Sequence, residues 1–284
     1  SATGQSKAPA TWFFALIRAG DTISLNTARS AILEDFLPKL TTSKTSAPAP
    51  ARPLSPSTSL PSSKKNQKSP EFLASREQVV NSIRNLKDWW FVETDHYIIL
   101  SDLESRHRHT VKEIQENIEY LRAAYEQFIP TRRDITAVSV IKMFGDGDRY
   151  QSYVGPNFSW SSGVWMPDRK ELVIRPMEWG NAKIDREVFL KVVYHEAFHQ
   201  YIFYALDEVM PSAWFNEGYA VFFQNAAISE RKLEVRENDA DVKRLEEMFK
   251  KKPVDIPALL HMSYEQFYAT DRGRNEDNYL LAGA

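Results

Sequence analysis

The chain has 284 residues with 36 basic and 38 acidic side chains, a formal net charge of −2, and so makes no electrostatic case for nucleic-acid binding, whose proteins usually carry a basic surplus. It has no cysteine, which excludes disulfide frameworks, thiolate zinc sites and cysteine nucleophiles. Hydrophobic residues make up 43%, enough for a sizeable core, and no apolar run approaches the roughly 20 residues that span a bilayer.

Charge is unevenly spread: residues 1–70 carry a surplus of six positive charges and the remainder carries −8. Within residues 1–40 the spacing of Ala28, Ile32, Leu33, Phe36 and Leu37 predicts one short amphipathic helix over 27–40, closed by Pro38. Residues 41–70 hold six prolines and eight serines, with Lys64, Lys65 and Lys68 near the end, and read as a disordered tether. From Glu71 to Ala284 the pattern is that of a globular domain. Phe91 to Leu100 predicts a strand or tight hairpin around Thr94-Asp95, and Thr110 to Phe128 predicts a helix ended by Pro130. Ile135 to Phe144 alternates as a strand, with a turn at Gly145-Asp146-Gly147-Asp148. Ser162 to Met166 and Glu171 to Ile174 read as a hairpin. Three helices are then expected: Asp185 to Leu206, Asn216 to Ile228, and a charged one from Ser229 to Lys252, broken near Asn238-Asp239. The fold class expected is α+β, an antiparallel or mixed sheet followed by a helical half. The closing run Leu280 to Ala284 looks like a helix just beginning, so a truncation at this end is expected.

The segment that carries chemistry is Val193-Tyr194-His195-Glu196-Ala197-Phe198-His199-Gln200, an H-E-x-x-H inside a strongly helical, apolar stretch. A spacing of four puts His195 and His199 one turn apart on one face, where two imidazoles can converge on one ion. Glu196 is offset by about 100°, beside that face, within reach of water on the ion. A lone buried histidine is more often bonded to backbone, but a carboxylate among Val192, Val193, Ala197 and Phe198 costs several kcal/mol to bury unpaired, so roughly that penalty asks for a cation. Glu217 lies eighteen positions beyond His199 on the next helix, with Pro211 between, and supplies a third ligand candidate. Two histidines and a carboxylate leave a fourth zinc position for water, as catalytic zinc requires.

His195-Glu196-x-x-His199 followed by Asn216-Glu217-Gly218-x-Ala220 resembles the gluzincin group of zinc metallopeptidases, the peptidase MA-like clan, over about residues 90–284, and is nearest to uncharacterised bacterial members. The resemblance implies a thermolysin-like catalytic domain holding one Zn²⁺ on His195, His199 and Glu217, with Glu196 as general base. It implies a downstream Tyr or His beside the oxyanion. Tyr279 matches the tyrosine of the aminopeptidase branch best, with Tyr264, Tyr268 and His261 as competitors. The G-x-M-E-N loop of the gluzincin aminopeptidases is missing upstream of His195, where Ser162 to Met166 occupies comparable ground, so an endopeptidase acting on peptides or proteins is expected. The expected location is extracytoplasmic, periplasmic or secreted. Gln224 and Asp207 are candidates to orient the histidines. Strand Gly163 to Met166 is a candidate edge for an extended peptide, and Trp160, Trp165, Trp179 and Trp214 are candidates for an apolar substrate pocket. His96, His107 and His109 have no helical partner at metal spacing and are read as structural or solvated. The competing readings are a catalytically inactive gluzincin-like domain that binds zinc and a protein partner, and a cell-surface scaffold with an accidental H-E-x-x-H.

Overall fold

The computed structural model describes residues 68–131, 133–175, 182–229, 232–235, 238–251, 255–269 and 274–283. The helix expected over 27–40 and nearly all of the tether at 41–70 lie outside these residues. The last part of that tether is ordered chain: the Ser69 hydroxyl accepts from the Phe72 N–H at 3.2 Å, and Pro70 opens helix α1, Pro70–Ile83. A capping serine followed by proline at the first helical position is a strong start signal, and it places the globular boundary before Pro70.

Strands β1 (Trp90–Glu93) and β2 (Tyr97–Ser101) form the expected hairpin. Its turn is tied down by Glu119 of α2 (Arg108–Phe128), which accepts from the His96 backbone N–H at 2.8 Å and faces the His96 ring. Strand β3 (Ser139–Met143) follows, then α3 (Gly147–Val154), β4 (Gly163–Met166) and β5 (Glu171–Ile174). The turn expected at 145–148 is a helix start: the Asp146 carboxylate accepts from the Arg149 N–H at 2.8 Å and caps α3.

The five strands make one mixed sheet in the order β1-β2-β3-β5-β4. The two hairpins are antiparallel, and β2-β3 and β3-β5 are parallel. Parallel strands need both faces covered, and all five residues of β2 and of β3 are buried. One face (Tyr97, Ile99, Ile141, Met143, Leu172, Ile174) packs on α2, α4 (Ala182–Ala205) and α5 (Ala213–Gln224). The other carries Ile98 and Leu100 under α1, and Val173 under α3. Tyr125 of α2 joins the helical side: its ring meets Phe198 and Phe223 edge-on, and its hydroxyl donates to the Tyr194 carbonyl at 2.9 Å.

Past α5 the expected helices are revised. α5 stops at Gln224, and β6 (Ala226–Ser229) with β7 (Lys232–Val235) forms a second, two-stranded sheet where helix was expected. Helix α6 spans Asp239–Lys251, beginning at the break expected near Asn238-Asp239. Three short helices follow, α7 (Ile256–Leu260), α8 (Tyr264–Tyr268) and α9 (Arg274–Gly283). The closing apolar run therefore lies inside a helix already under way from Arg274 rather than opening one. No helix among the described residues is long and apolar enough to cross a membrane.

Candidate functional site

His195, Glu196 and His199 project from α4, and their ligand atoms all lie within 4.8 Å of one another. Helix α5 returns beside α4 after the turn at 206–212 and brings Glu217, only 2% exposed, to the same point. Its Oε2 stands 3.3 Å from His195 Nε2 and 3.5 Å from His199 Nε2. Oε2 is buried and has no hydrogen-bond partner. Such an atom is costly unless a cation sits beside it. Ligand bonds of about 2.0–2.1 Å directed tetrahedrally leave neighbouring donors about 3.3 Å apart, so the observed separations fit zinc on His195, His199 and Glu217.

The electrostatics agree with a seat for positive charge. Burial alone would raise the Glu217 carboxyl, but His199 and His195 hold it well below the usual carboxylate range. Burial alone would depress His199, and the Glu217 carboxylate overrides it and lifts the imidazole to about 9. Glu196 goes the other way: withdrawal from water raises its carboxyl, against the lowering effect of the two imidazoles and of the Trp165 N–H.

Gln224 aims one imidazole, and Asn216 lies beside the other. Gln224 Oε1 is 3.1 Å from His195 Nδ1. Gln224 accepts there from Nδ1–H, leaving the Nε2 lone pair directed at the cluster. Asn216 is beside His199 and raises its pKa, and both His199 Nδ1 and Asn216 Oδ1 are buried without a hydrogen bond. Asn216 is a site residue to which the sequence reading gave no role, although it opens the motif Asn216-Glu217-Gly218. Asp207 does not orient a histidine: it lies in the turn after α4, 65% exposed and 3.9 Å from Arg133.

Four aromatic or histidine candidates were expected near the oxyanion position, and the structure separates them. Tyr279 on α9 has its ring centroid 6.4 Å from that of His195, and Glu217 and Glu196 both act on its hydroxyl. Burial first, then these carboxylates, hold that hydroxyl protonated far beyond neutral pH. Tyr268 donates instead to Glu217 Oε1. Tyr264 donates to the Pro211 carbonyl at 3.0 Å, and His261 is exposed at the end of α7.

Strand β4 borders the site. A side chain at Gly163 would crowd α4, because a Cβ there would lie 2.7 Å from Val192 Cγ1 and 3.4 Å from Glu196 Cγ. Two residues on, the Trp165 N–H donates to Glu196 Oε2 at 2.9 Å, on the strand edge that β5 does not occupy. Trp165 itself is core, packed on Phe203 and Tyr204 rather than lining a pocket. Trp214 sits in a small cluster with Tyr264, Phe267 and Tyr279, Trp160 is 78% exposed, and Trp179 lies outside the described residues. His96 is paired with Glu119, and the rings of His107 and His109 lie 6.4 Å apart, away from the cluster in sequence and on another helix turn.

The arrangement can hold one divalent ion on three donors from two consecutive helices, with a carboxylate and a phenol beside it. No protein-family profile matches the chain, and no curated protein matches it.

Proposed function

We propose that this chain is a gluzincin-type, zinc-dependent peptidase that hydrolyses internal peptide bonds. The reading rests above all on Glu217 Oε2, buried, unpartnered and shared between the Nε2 atoms of His195 and His199. When bound there, zinc would lower the pKa of a bound water to about 7 and polarise a carbonyl. Glu196, with its raised proton affinity, accepts the proton of the attacking water on a carboxylate oxygen and hands it to the leaving amine. Tyr279, held protonated, donates its hydroxyl hydrogen bond to the oxyanion. The edge of β4 that β5 does not occupy would take an extended peptide by strand addition and so position the scissile bond, through groups other than the Trp165 N–H, which Glu196 already accepts.

The test is zinc stoichiometry combined with cleavage of a peptide library. About one zinc per chain is expected, with cleavage at internal bonds that stops on chelation and returns with added zinc. A chain that retains no zinc after loading, or cleavage indifferent to chelator, sinks the proposal. Tyr279→Phe is expected to lower kcat by about 10²–10³-fold with zinc content and KM little changed, as loss of one oxyanion donor does. An unchanged kcat would remove Tyr279 from the mechanism.

A further inference from the structure

The two oxygens of Glu217 differ. Oε2 is unpartnered and faces both histidines, whereas Oε1 accepts a hydrogen bond from the Tyr268 hydroxyl. A carboxylate with both oxygens free can bind a metal ion through both, which adds a ligand and takes up space that a catalytic site keeps for water and substrate. We propose that Tyr268 is a positioning residue that confines Glu217 to ligation through Oε2 alone, an inference that rests on the metal-site reading above.

The fold is arranged for that single bond. Helix α8 is fixed at its start by a reciprocal cap between Ser263 and Gln266, and at its end by Asn278 of α9, whose Nδ2 donates to the Phe267 carbonyl at 2.9 Å. The Tyr268 ring is held edge-on by Phe267, with centroids 5.7 Å apart, yet the residue remains 40% exposed. The ring also meets those of Tyr264 and Tyr279, so Tyr268→Phe, which keeps the ring and removes only the hydroxyl, isolates the bond to Glu217.

The experiment compares wild type, Tyr268→Phe and Tyr153→Phe by zinc affinity in competition with a chelator, and by the visible absorption of the cobalt(II)-substituted protein. Tyr268→Phe is expected to bind zinc about 10–100-fold more weakly. Its cobalt band is expected to lose intensity, because a second carboxylate oxygen moves the ion away from four-coordination. Tyr153→Phe, whose hydroxyl bonds Glu171 and Lys142 on the other face of the sheet, is expected to change neither. Equal zinc affinity and superimposable cobalt spectra for wild type and Tyr268→Phe would overturn the assignment while leaving the metal site intact. A wild type that binds neither ion overturns the metal-site reading itself, and this inference with it. Should Tyr268→Phe fail to fold, zinc-edge X-ray absorption of wild type decides: a carboxylate carbon at the longer, one-oxygen distance supports the assignment, and the shorter two-oxygen distance overturns it.

Discussion

Replacing Glu196 by Gln is expected to lower kcat/KM for peptide cleavage by about 10²–10⁴-fold, while zinc stays near one per chain. That loss is equivalent to about 3–5 kcal/mol of barrier. Glutamine has the shape of glutamate and keeps a carbonyl oxygen for the Trp165 N–H, so β4 and α4 have no reason to move apart. What it loses is the ability to take a proton. The three donors assigned to the ion are His195, His199 and Glu217, so metal content should not follow activity downward. The substitution thereby separates an enzyme from a zinc-binding domain without catalysis: activity that survives in Glu196→Gln favours a different base, and zinc that disappears with it would make Glu196 a ligand. The assay belongs near neutral pH, because removal from water has already raised the Glu196 carboxyl toward the range where a base is most useful.

What could be read in advance was what local spacing encodes. His195 and His199 share a face because helical periodicity puts them there, and Gln224 lies near His195 because seven residues bring it back to the face of Glu217. Both hairpins of the sheet announced themselves through turn residues. The parallel pairings β2-β3 and β3-β5 leave no such trace, since their partners meet only once α2 and α3 have crossed over. Gly145-Asp146-Gly147-Asp148 was ambiguous: the same small acidic residues that make turns also cap helices, and Tyr150 and Val154, four apart and both buried, were the remaining sign of α3. Lys232-Leu233-Glu234-Val235 alternates with period two, which the surrounding charge disguised as a solvated helix. Tyr268 lies 51 residues from Glu217, and no rule of local spacing reaches that far. That His195, Glu196, His199 and Glu217 come together was thus legible. The groups that hold them in place were mostly not, because they arrive from helices packed later in the chain.

Gly218 shows how those later helices reach the site, and Gly218→Ala is expected to cost about 1–3 kcal/mol of stability together with most peptidase activity. In the interior of α5, alanine would by itself be favoured over glycine by about 1 kcal/mol. Packing reverses that sign. A Cβ on Gly218 would stand 2.2 Å from the Ala282 carbonyl oxygen and 2.9 Å from its carbon, and both belong to backbone that no rotamer change can move aside. Gly283 repeats the arrangement from the other helix, where a Cβ would meet Val221 Cγ1 at 2.4 Å. Helices α5 and α9 therefore touch through their backbones, and α9 carries Tyr279 to His195 while its Asn278 anchors α8 and Tyr268. Pushing α9 outward withdraws Tyr279, the proposed oxyanion donor, and loosens the bond to Glu217 Oε1, while His195, His199 and Glu217 stay on α4 and α5. Gly218→Ala should accordingly melt about 2–10 °C lower than wild type and bind zinc more weakly without losing it. Gly147→Ala is the control: nothing lies within 4 Å of a Cβ there, so its melting temperature and activity should match wild type. An unshifted melting temperature in Gly218→Ala would mean that α9 does not lean on α5 through these backbones, and Tyr279 would lose the support that puts it beside the histidines.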